Sequence, residues 1–274
     1  MVLVNKMIVL NNGVKMPRLG LGVFLSEAGY ETQNAVLMAL EAGYRHVDTA
    51  AVYGNEKDVG LAVKASGLKR EEVFITSKLS TFDMEDHKSR EGVLKSLDNL
   101  DIEYIDLYLV HWAATNYREG WEELISFYEE GLLRSIGVSN FQTHHLHEIE
   151  GVGPVPATNE IELHPYFQQR ELKKYCEDKG IIIEAWAPLG GVDHLCIDEP
   201  IIQNIAEKHG KTGAQVAIRW HLQTGNIVIP KSVRRERIIE NSQVFDFSLD
   251  DKDMSAIAAM DENKRLYWDP MRWD

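Results

Sequence analysis

Short apolar segments alternate with longer amphipathic segments eight times along this chain. The alternation constrains the fold more than any other feature, because strand–helix repeats build parallel sheets with right-handed crossovers. Eight such units close a barrel, so the sequence predicts an α/β fold of the (β/α)8, or TIM-barrel, type. The predicted strand–helix pairs are Leu19–Gly22 and Tyr30–Ala42, His46–Asp48 and Asn55–Ser66, Val73–Lys78 and Ser89–Leu100, Ile105–His111 and Arg118–Glu130, Ser135–Ser139 and Gln142–Glu150, Ala157–Glu160 and Gln169–Lys179, Ile181–Ala185 and Gly213–Gln223, and Ile227–Pro230 and Arg235–Asn241.

Three further segments fall outside the repeat. Met7 to Pro17 is predicted to form an N-terminal β-hairpin around Asn12-Gly13, a dipeptide suited to the positive φ angles of a tight turn. Two additional helices are predicted at Glu199–His209 and Asp250–Met260. A doubly wound open sheet is the structural alternative, but its glycine-rich fingerprint is missing because Leu19–Phe24 supplies only the first two glycines.

Length and charge limit the class of protein. At 274 residues the chain fits one barrel domain spanning residues 1–274, since such barrels use about 250 residues. A net charge of -14 argues against nucleic-acid and anionic-membrane partners. The N-terminal segment lacks a clean signal-peptide core, no apolar run reaches membrane-spanning length, and the two cysteines indicate reduced thiols. We therefore expect a cytoplasmic monomer.

One basic cluster stands out from this acidic background. Lys231, Arg234, Arg235 and Arg237 place four cations within seven residues. The cluster follows the apolar run 227–229 and begins a predicted helix, where backbone N–H groups favour phosphate. Basic clusters are common, so a solvated helix start is the alternative. The pattern indicates an anionic ligand.

Polar residues follow the predicted strands of the barrel. Functional groups of such barrels lie at the carboxyl ends of the strands, where the loops meet. Each residue taken alone also has a structural explanation. The candidates are Asp48, Lys78, His111, Ser139, Asn140, Glu160, Trp186 and Lys231.

A tyrosine on the loop after the second predicted strand gives these residues a common chemistry. Tyr53 lies five residues after Asp48 and can reach over the barrel mouth toward Lys78 and His111. A phenol has an ordinary pKa of about 10, so it is protonated at neutral pH and can donate to a carbonyl. The Lys78 ammonium would stabilise the phenolate and make the hydroxyl more acidic, Asp48 would orient Lys78, and His111 would donate a hydrogen bond to the substrate oxygen. No Gly-x-Ser-x-Gly motif is present, which disfavours acyl transfer.

Four motifs make the chain resemble the aldo-keto reductase family over nearly its whole length. Its short loops resemble those of the compact bacterial and protozoan branch of that family, which includes diketogluconate reductases and prostaglandin F synthases. The resemblance implies a barrel that binds NADP(H) without a Rossmann domain and passes hydride to a small-molecule carbonyl substrate. The motifs are Gly43–Ala50 with Tyr53–Glu56, Ile136–Phe141, Glu160–Pro165 and Ile229–Ser232.

Matching positions in these motifs assign roles to single residues. Tyr53 is implied to be the proton donor, with Asp48, Lys78 and His111 completing a catalytic tetrad. The implied cofactor contacts are Ser139, Asn140 and Glu160 at the carboxamide, Trp186 on the nicotinamide ring, Lys231, Ser232 and Arg234 at the 2′-phosphate, Arg237, Glu240 and Asn241 at the adenine, and Gly22, Leu189 and Val233. The implied substrate contacts are Phe24, Trp112 and Trp268.

Glu160 departs from the family pattern, which usually has Gln at this position. An ionised carboxylate only accepts hydrogen bonds, whereas an amide both donates and accepts. We hypothesise that a charged Glu160 favours the positively charged oxidised ring over the reduced one. A protonated Glu160 would produce no such preference.

Two segments admit more than one interpretation. The aromatic tail Tyr267–Asp274 either covers the site as a substrate wall or packs Trp268 and Trp273 on the barrel exterior. The group His144, His145, His147 and Glu148 suggests a metal site, but helix-surface side chains of this kind are usually solvated, and no metal is predicted.

The predicted function is an NADPH-dependent oxidoreductase that reduces aldehydes or ketones to alcohols. The main alternative is a catalytically weak NADP(H)-binding regulatory or structural protein on the same scaffold. A metal-dependent barrel hydrolase is a third. The sequence selects neither the physiological substrate nor the preferred reaction direction.

Overall fold

A computed structural model describes residues 7–191 and 194–273 of the chain. Residues 1–6, which belong to the segment considered for a signal peptide, and Asp274 of the aromatic tail lie outside the described residues, as do residues 192–193. Among the helices of the described residues, none combines the length and apolar character needed to cross a bilayer.

The chain begins with the expected hairpin, formed by β1 (Met7–Val9) and β2 (Lys15–Pro17) in antiparallel register. Its turn differs from the expected tight one, because Gly13 has a positive φ of 88° and Asn12 does not. The Asn12 side chain instead accepts a hydrogen bond from the Val14 N–H at 3.2 Å. Leu10 N–H donates to the Val14 carbonyl at 2.9 Å, so the loop is longer than two residues.

Eight of the remaining strands form one parallel sheet. The ten strands that follow the hairpin are β3 (Leu21–Gly22), β4 (His46–Asp48), β5 (Phe74–Leu79), β6 (Leu107–Val110), β7 (Ile136–Ser139), β8 (Thr158–Glu162), β9 (Ile182–Trp186), β10 (Gly190–Gly191), β11 (His194–Leu195) and β12 (Ile227–Val228). Their spatial order is β3 to β9 in sequence and then β12 beside β9, whereas β10 and β11 pair as a separate small hairpin.

Parallel bridges close this sheet into a barrel. Leu19 bridges Val228 and Gly22 bridges Lys231, joining the first strand to the last. Gly20 N–H donates to the Val228 carbonyl at 2.9 Å. A Cβ at Gly22 would lie 2.8 Å from the Ile229 carbonyl oxygen, so any side chain there would push the two strands apart. The predicted (β/α)8 barrel is confirmed.

Helices surround the barrel: α1 (Tyr30–Glu41), α2 (Glu56–Ala65), α3 (Thr81–Glu85), α4 (Ser89–Leu100), α5 (Tyr117–Glu129), α6 (Thr143–Ile149), α7 (Arg170–Asp178), α8 (Pro200–His209), α9 (Gly213–Gln223), α10 (Arg235–Ser242) and α11 (Asp251–Ala258). The two additional helices predicted from the sequence are α8 and α11. Local signals fix both: α8 begins at Pro200 and ends before a left-handed Gly210, and Asp250 caps α11. The short α3 and the β10–β11 hairpin were not predicted.

The hairpin covers one end of the barrel. Leu10 and Met16 pack against Phe74, Leu107 and Ile227 at the amino ends of the strands. The carboxyl ends of the strands, where the loops emerge, form the opposite and open end. Side chains along each strand alternate between the barrel interior and the helix layer, so the last inward-facing residues of each strand lie beneath this opening.

Candidate active site

A lysine ammonium at the end of β5 lies at the centre of the open end. Lys78 is fully buried, and its Nζ donates to Asp48 Oδ1 and Oδ2 at 2.6 and 2.8 Å and to the Thr49 carbonyl at 3.1 Å. Glu160 Oε2 lies 3.1 Å from the same nitrogen. These groups meet because β4, β5 and β8 end at the same level of the barrel with these side chains facing inward.

The phenol ring of Tyr53 lies above this lysine. Its centroid is 5.3 Å from Lys78 Nζ, and it packs edge-on to the His111 imidazole with ring centroids 5.8 Å apart. Tyr53 ends a single 3-10 turn after β4, and the left-handed Gly54 that follows reverses the chain. The structure therefore brings together the four side chains that the sequence selected as a tetrad.

Burial overrides the expected acidity of the phenol. It raises the pKa of Tyr53 above the ordinary value of a phenol, and although Lys78 lowers that pKa, the nearby carboxyls of Asp48 and Glu160 raise it further. Lys78 therefore acts in the expected direction, but its effect on the pKa of the hydroxyl is smaller than that of burial. The result is a hydroxyl that stays protonated at neutral pH, which is the state required of a proton donor.

Two further members of the cluster, Lys78 and His111, have pKa values shifted by burial and charge. Burial alone lowers the pKa of Lys78, but attraction by Asp48 and Glu160 outweighs it and raises the pKa of the ammonium well above its ordinary value. Burial, followed by repulsion from Lys78, lowers the pKa of His111 well below its ordinary value. The site therefore contains a charged lysine and a neutral imidazole, which can donate one N–H.

A second polar layer lies below the cluster, and the sequence analysis missed it. His46 Nε2 lies 3.0 Å from Thr76 Oγ1 and 3.6 Å from Glu184 Oε1, with His46 and Glu184 fully buried. Both residues lie two positions before a candidate on the same strand, so the period of two along a strand could have identified them. Burial lowers the pKa of His46 to about 3 and raises that of Glu184 well above its ordinary value.

Three carboxyls of these layers lie close enough to bind one metal ion. Oxygens of Asp48, Glu160 and Glu184 lie within 4.8 Å of one another, and within the described part of the chain no comparable group forms at the histidines of α6. The Lys78 ammonium already lies among these carboxyls. It supplies the positive charge that a metal would bring, and it would repel a metal ion.

A cavity of about 850 Å³ opens above the cluster and extends to the start of α10. Lys78 lies beneath its floor. Val233 packs against the hydrophobic core, and neither it nor Arg234 borders the cavity. All the other residues selected from the sequence line it: Gly22, Phe24, Asp48, Tyr53, His111, Trp112, Ser139, Asn140, Glu160, Trp186, Leu189, Lys231, Ser232, Arg237, Glu240, Asn241 and Trp268.

The far end of the cavity carries the basic cluster. Lys231 and Arg237 are exposed and border the cavity, and Lys231 Nζ reaches across to the Leu25 carbonyl at 3.2 Å. Arg235 points elsewhere, because its guanidinium pairs with Glu41 Oε2 on α1 at 2.9 Å. The four cations of the sequence motif thus separate into two that face the cavity and two that do not.

Polar groups on the opposite wall are already hydrogen-bonded to one another. The Asn140 amide nitrogen donates to Ser139 Oγ at 2.9 Å and to the His111 carbonyl at 3.2 Å. Its side-chain oxygen accepts from the Trp186 indole N–H at 3.0 Å, and Ser139 Oγ donates to the Glu160 carbonyl at 3.1 Å. A ligand amide bound here would have to replace some of these bonds.

Aromatic residues form the outer wall. Phe24 packs against Tyr53 with ring centroids 5.0 Å apart and meets the edge of Trp268 at 6.4 Å. Tyr267 packs edge-on to Trp186 at 5.2 Å. Of the two interpretations of the aromatic tail, the structure supports the wall for Trp268, which borders the cavity.

Part of the cavity lining was not predicted from the sequence. Thr212 and Gly213 come from the start of α9, and Thr212 Oγ1 donates to Glu240 Oε1 at 2.8 Å. A signal was present, since Thr212 and Gln215 form a capping box that marks a helix start. A Cβ at Gly213 would lie 2.4 Å from the Ile197 carbonyl oxygen, which explains the glycine.

Comparisons with known proteins agree with this geometry. The model of the family described as "Aldo/keto reductase family" matches residues 19–192 and 198–262. The chain is 48% identical to methylglyoxal reductase DkgA of Escherichia coli over 268 residues, which cover 96% of each chain. It is 46% identical to glyoxal reductase of Bacillus subtilis over 259 residues, covering 94% of this chain and 93% of that one.

Solved structures extend the same comparison to the fold. An aldo-keto reductase from a Medee basin deep-sea metagenome library superposes with a TM-score of 0.92 at 42% identity and covers 96% of this chain and 97% of that one. An aldo/keto reductase of Brucella melitensis gives a TM-score of 0.91 at 44% identity, covering 95% and 100%. Because the family model and these relatives span nearly the whole barrel, this chain belongs to the aldo/keto reductase family.

Proposed function

We propose that this protein is an NADP(H)-dependent reductase that converts small aldehydes or ketones to alcohols, with Tyr53 as the general acid. Family membership and relatives named as reductases support carbonyl reduction by an oxidoreductase. The observation that carries the finer proposal is the position of the Tyr53 phenol, 5.3 Å from the Lys78 ammonium at the floor of the 850 Å³ cavity.

The residues of the cavity fit a phosphorylated dinucleotide. Lys231 and Arg237 offer exposed positive charge at one end, where the buried Ser232 also borders the cavity. Positive charge of this kind suits the additional phosphate that distinguishes NADP(H) from NAD(H). Apolar residues such as Leu189 and Ile229 line the middle, and the polar wall near Tyr53 suits an amide-bearing ring.

This fit assigns the cofactor contacts by their place along the cavity. Lys231 and Ser232 would hold the 2′-phosphate, with Val233 and Arg234 shaping the turn from outside the cavity lining. The adenine would lie near Arg237, Glu240 and Asn241, and Trp186 would stack on the nicotinamide. Gly22 and Leu189 would contact the ring and the pyrophosphate region, and Ser139, Asn140 and Glu160 the carboxamide. When bound, the cofactor supplies the hydride.

The chain itself supplies the proton and its stabilisation. The carbonyl carbon gains a hydride and the carbonyl oxygen takes the Tyr53 hydroxyl proton, so the product is a neutral alcohol and the phenolate is left to be reprotonated from solvent. The Lys78 ammonium stabilises that phenolate, and Asp48 holds the ammonium with two hydrogen bonds. The neutral His111 donates a hydrogen bond to the substrate oxygen and orients it.

The size and chemistry of the outer wall indicate the substrate class. Phe24, Trp112 and Trp268 surround Tyr53 with apolar surface and offer no cation for an acidic substrate. Small carbonyl compounds fit this wall. The names of two relatives, glyoxal reductase and methylglyoxal reductase DkgA, agree with this class of substrate. We therefore propose small aldehydes, ketones and dicarbonyls as substrates.

Replacing Tyr53 with Phe tests the function. Loss of a general acid lowers turnover by roughly 10²- to 10⁴-fold, while the ring that packs on Phe24 is retained. We expect the loss of NADPH absorbance with a reactive aromatic aldehyde to slow by this factor in Tyr53→Phe, with NADPH binding unchanged by fluorescence. If the unaltered protein binds NADPH without turnover and Tyr53→Phe behaves identically, the regulatory or structural alternative is correct.

A further inference from the structure

We infer that Glu160 sets which oxidation state of the nicotinamide cofactor the site prefers, by holding a proton when the ring is reduced and releasing it when the ring is oxidised. The inference rests on the proposed function, because it assumes that NADP(H) occupies the cavity. It concerns a carboxyl group that borders the cavity and has more acidic neighbours than one cation can neutralise.

Glu160 lies beside the lysine without receiving a hydrogen bond from it. The residue is 2% exposed, and Oε2 lies 3.1 Å from Lys78 Nζ. An ammonium has three N–H donors, and those of Lys78 point to Asp48 Oδ1, Asp48 Oδ2 and the Thr49 carbonyl. Glu160 Oε2 therefore has no hydrogen-bond partner, although it is buried.

The charges around Glu160 favour its neutral form. The titratable groups that interact with it are Asp48 on β4, Tyr53 on the following loop, Lys78 on β5 and Glu184 on β9, and the two histidines near the same lysine are His46 on β4 and His111 after β6. Burial lowers the pKa of both histidines, so Lys78 is the one cation in this set, and its hydrogen bonds go to Asp48.

The one ammonium of this site can neutralise one negative charge, and its hydrogen bonds go to Asp48. Glu160 is therefore a second carboxyl whose negative charge would not be neutralised. Burial and then repulsion from Asp48 raise its pKa to about 8, because the attraction of Lys78 does not offset them. Glu184 lies deeper, and neither of its oxygens has a hydrogen-bond partner. Glu160 differs from Glu184 in bordering the cavity, so a ligand can change its protonation directly.

The two cofactor forms differ in the charge that they bring to this carboxyl. The oxidised ring is positively charged, so it favours an ionised Glu160, and its binding releases the carboxyl proton to solvent. The reduced ring is neutral, so Glu160 keeps its proton and can donate as an amide side chain would. By linkage, NADP⁺ affinity rises with pH until Glu160 is ionised in the free protein, whereas NADPH affinity gains nothing.

Dissociation constants for both cofactor forms test this inference. Quenching of tryptophan fluorescence gives both dissociation constants between about pH 6 and about pH 9. Their ratio removes the pH dependence that comes from the phosphates, because both cofactor forms carry the same phosphates. As the pH rises over this range, the dissociation constant of NADPH divided by that of NADP⁺ should increase by about tenfold. This is the change that follows when a nearby unit charge shifts the pKa of Glu160 by about one unit. In Glu160→Gln the ratio should be independent of pH.

The Glu184→Gln variant is the matched control, since it removes the deeper carboxyl that does not border the cavity. It should retain the pH dependence. A second measurement uses the unaltered protein and needs no variant. Calorimetry in buffers of different ionisation enthalpy should show proton release when the protein binds NADP⁺ and none when it binds NADPH.

Two results would overturn the inference while leaving the proposed function intact. One is a pH-independent ratio without proton release in a protein that binds both forms. The other is a pH dependence that survives in Glu160→Gln and disappears in Glu184→Gln. If the protein binds neither form, the proposed function itself fails, and this inference fails with it.

Discussion

The two ends of the cavity use charge in opposite ways. At the floor, Lys78, Asp48 and Glu160 are at most 2% exposed, and strands of the barrel hold both carboxyls within 3.1 Å of the Lys78 ammonium. At the far end, Lys231 and Arg237 are exposed on a turn and a helix surface. The first arrangement is fixed before any ligand arrives, whereas the second supplies positive charge whose side chains remain free to adjust.

Because of this difference, removing a charge should lower the free energy of unfolding by different amounts at the two ends. A buried charge depends on its partner because water cannot replace it, so removing one member leaves the other unpaired. An exposed charge is solvated with or without its ligand and is screened by salt. The floor should therefore determine folding and proton transfer, and the far end should determine cofactor affinity.

The largest expected effect follows from replacing Lys78 with Met, which leaves Asp48 without its cation. Breaking a buried ion pair in this way costs about 3–5 kcal/mol in the free energy of unfolding. Lys231→Met is the matched control at the exposed end and should change the same quantity by no more than about 0.5 kcal/mol. Urea unfolding of both variants measures the difference.

A double variant sharpens this test. Replacing Asp48 with Asn together with Lys78→Met removes both charges, and part of the lost stability should return because no uncompensated charge remains. Equal losses for Lys78→Met and Lys231→Met would show that the floor is not a preorganised charge cluster.

The same contrast explains what the sequence predicted and what it did not. Asp48, Lys78, His111 and Glu160 could be selected because the carboxyl ends of parallel strands meet at one opening. His46 and Glu184 lie two residues before the ends of β4 and β9, so only the period of two along these strands, and not a strand end, indicates them. The pKa of Tyr53 depends chiefly on its burial in the folded chain, which no local pattern reveals.

The fold shows the same limit. The eight repeats and the two additional helices follow from local patterns, whereas Thr212 and Gly213 reach the cavity because α8 redirects the chain before α9. The five-residue α3 is too short to produce a helical period of its own.

Cofactor selectivity should respond to the exposed end. Lys231→Met removes a charge that we propose contacts the 2′-phosphate, and losing a charged hydrogen bond weakens binding by about tenfold or more. We expect the dissociation constant of NADPH to rise by this factor while that of NADH stays the same. The effect should shrink as ionic strength increases, because the contact is exposed.

Arg235 provides the control for this measurement. It belongs to the same basic cluster and is equally exposed, but its guanidinium pairs with Glu41 and does not border the cavity. Arg235→Ala should leave NADPH affinity nearly unchanged. If both variants weaken NADPH binding alike, the cluster acts through its overall field and not through a defined phosphate contact.

The smallest expected effect concerns the aromatic tail, which contributes an uncharged side chain, Trp268, to the outer wall of the cavity. Trp268 is 53% exposed and meets the edge of Phe24 at 6.4 Å, so Trp268→Ala should remove one aromatic contact from the substrate wall. Such contacts contribute about 0.5–1.5 kcal/mol, which corresponds to a rise in substrate KM of about 2- to 10-fold with kcat nearly unchanged. Met271 is 51% exposed on the same tail but does not border the cavity, so Met271→Ala should leave KM unaltered. A fall in kcat in Trp268→Ala, with KM unchanged, would instead show that the tail acts on the proton-transfer groups at the floor. The division of the cavity into a preorganised floor and an adaptable wall would then be wrong.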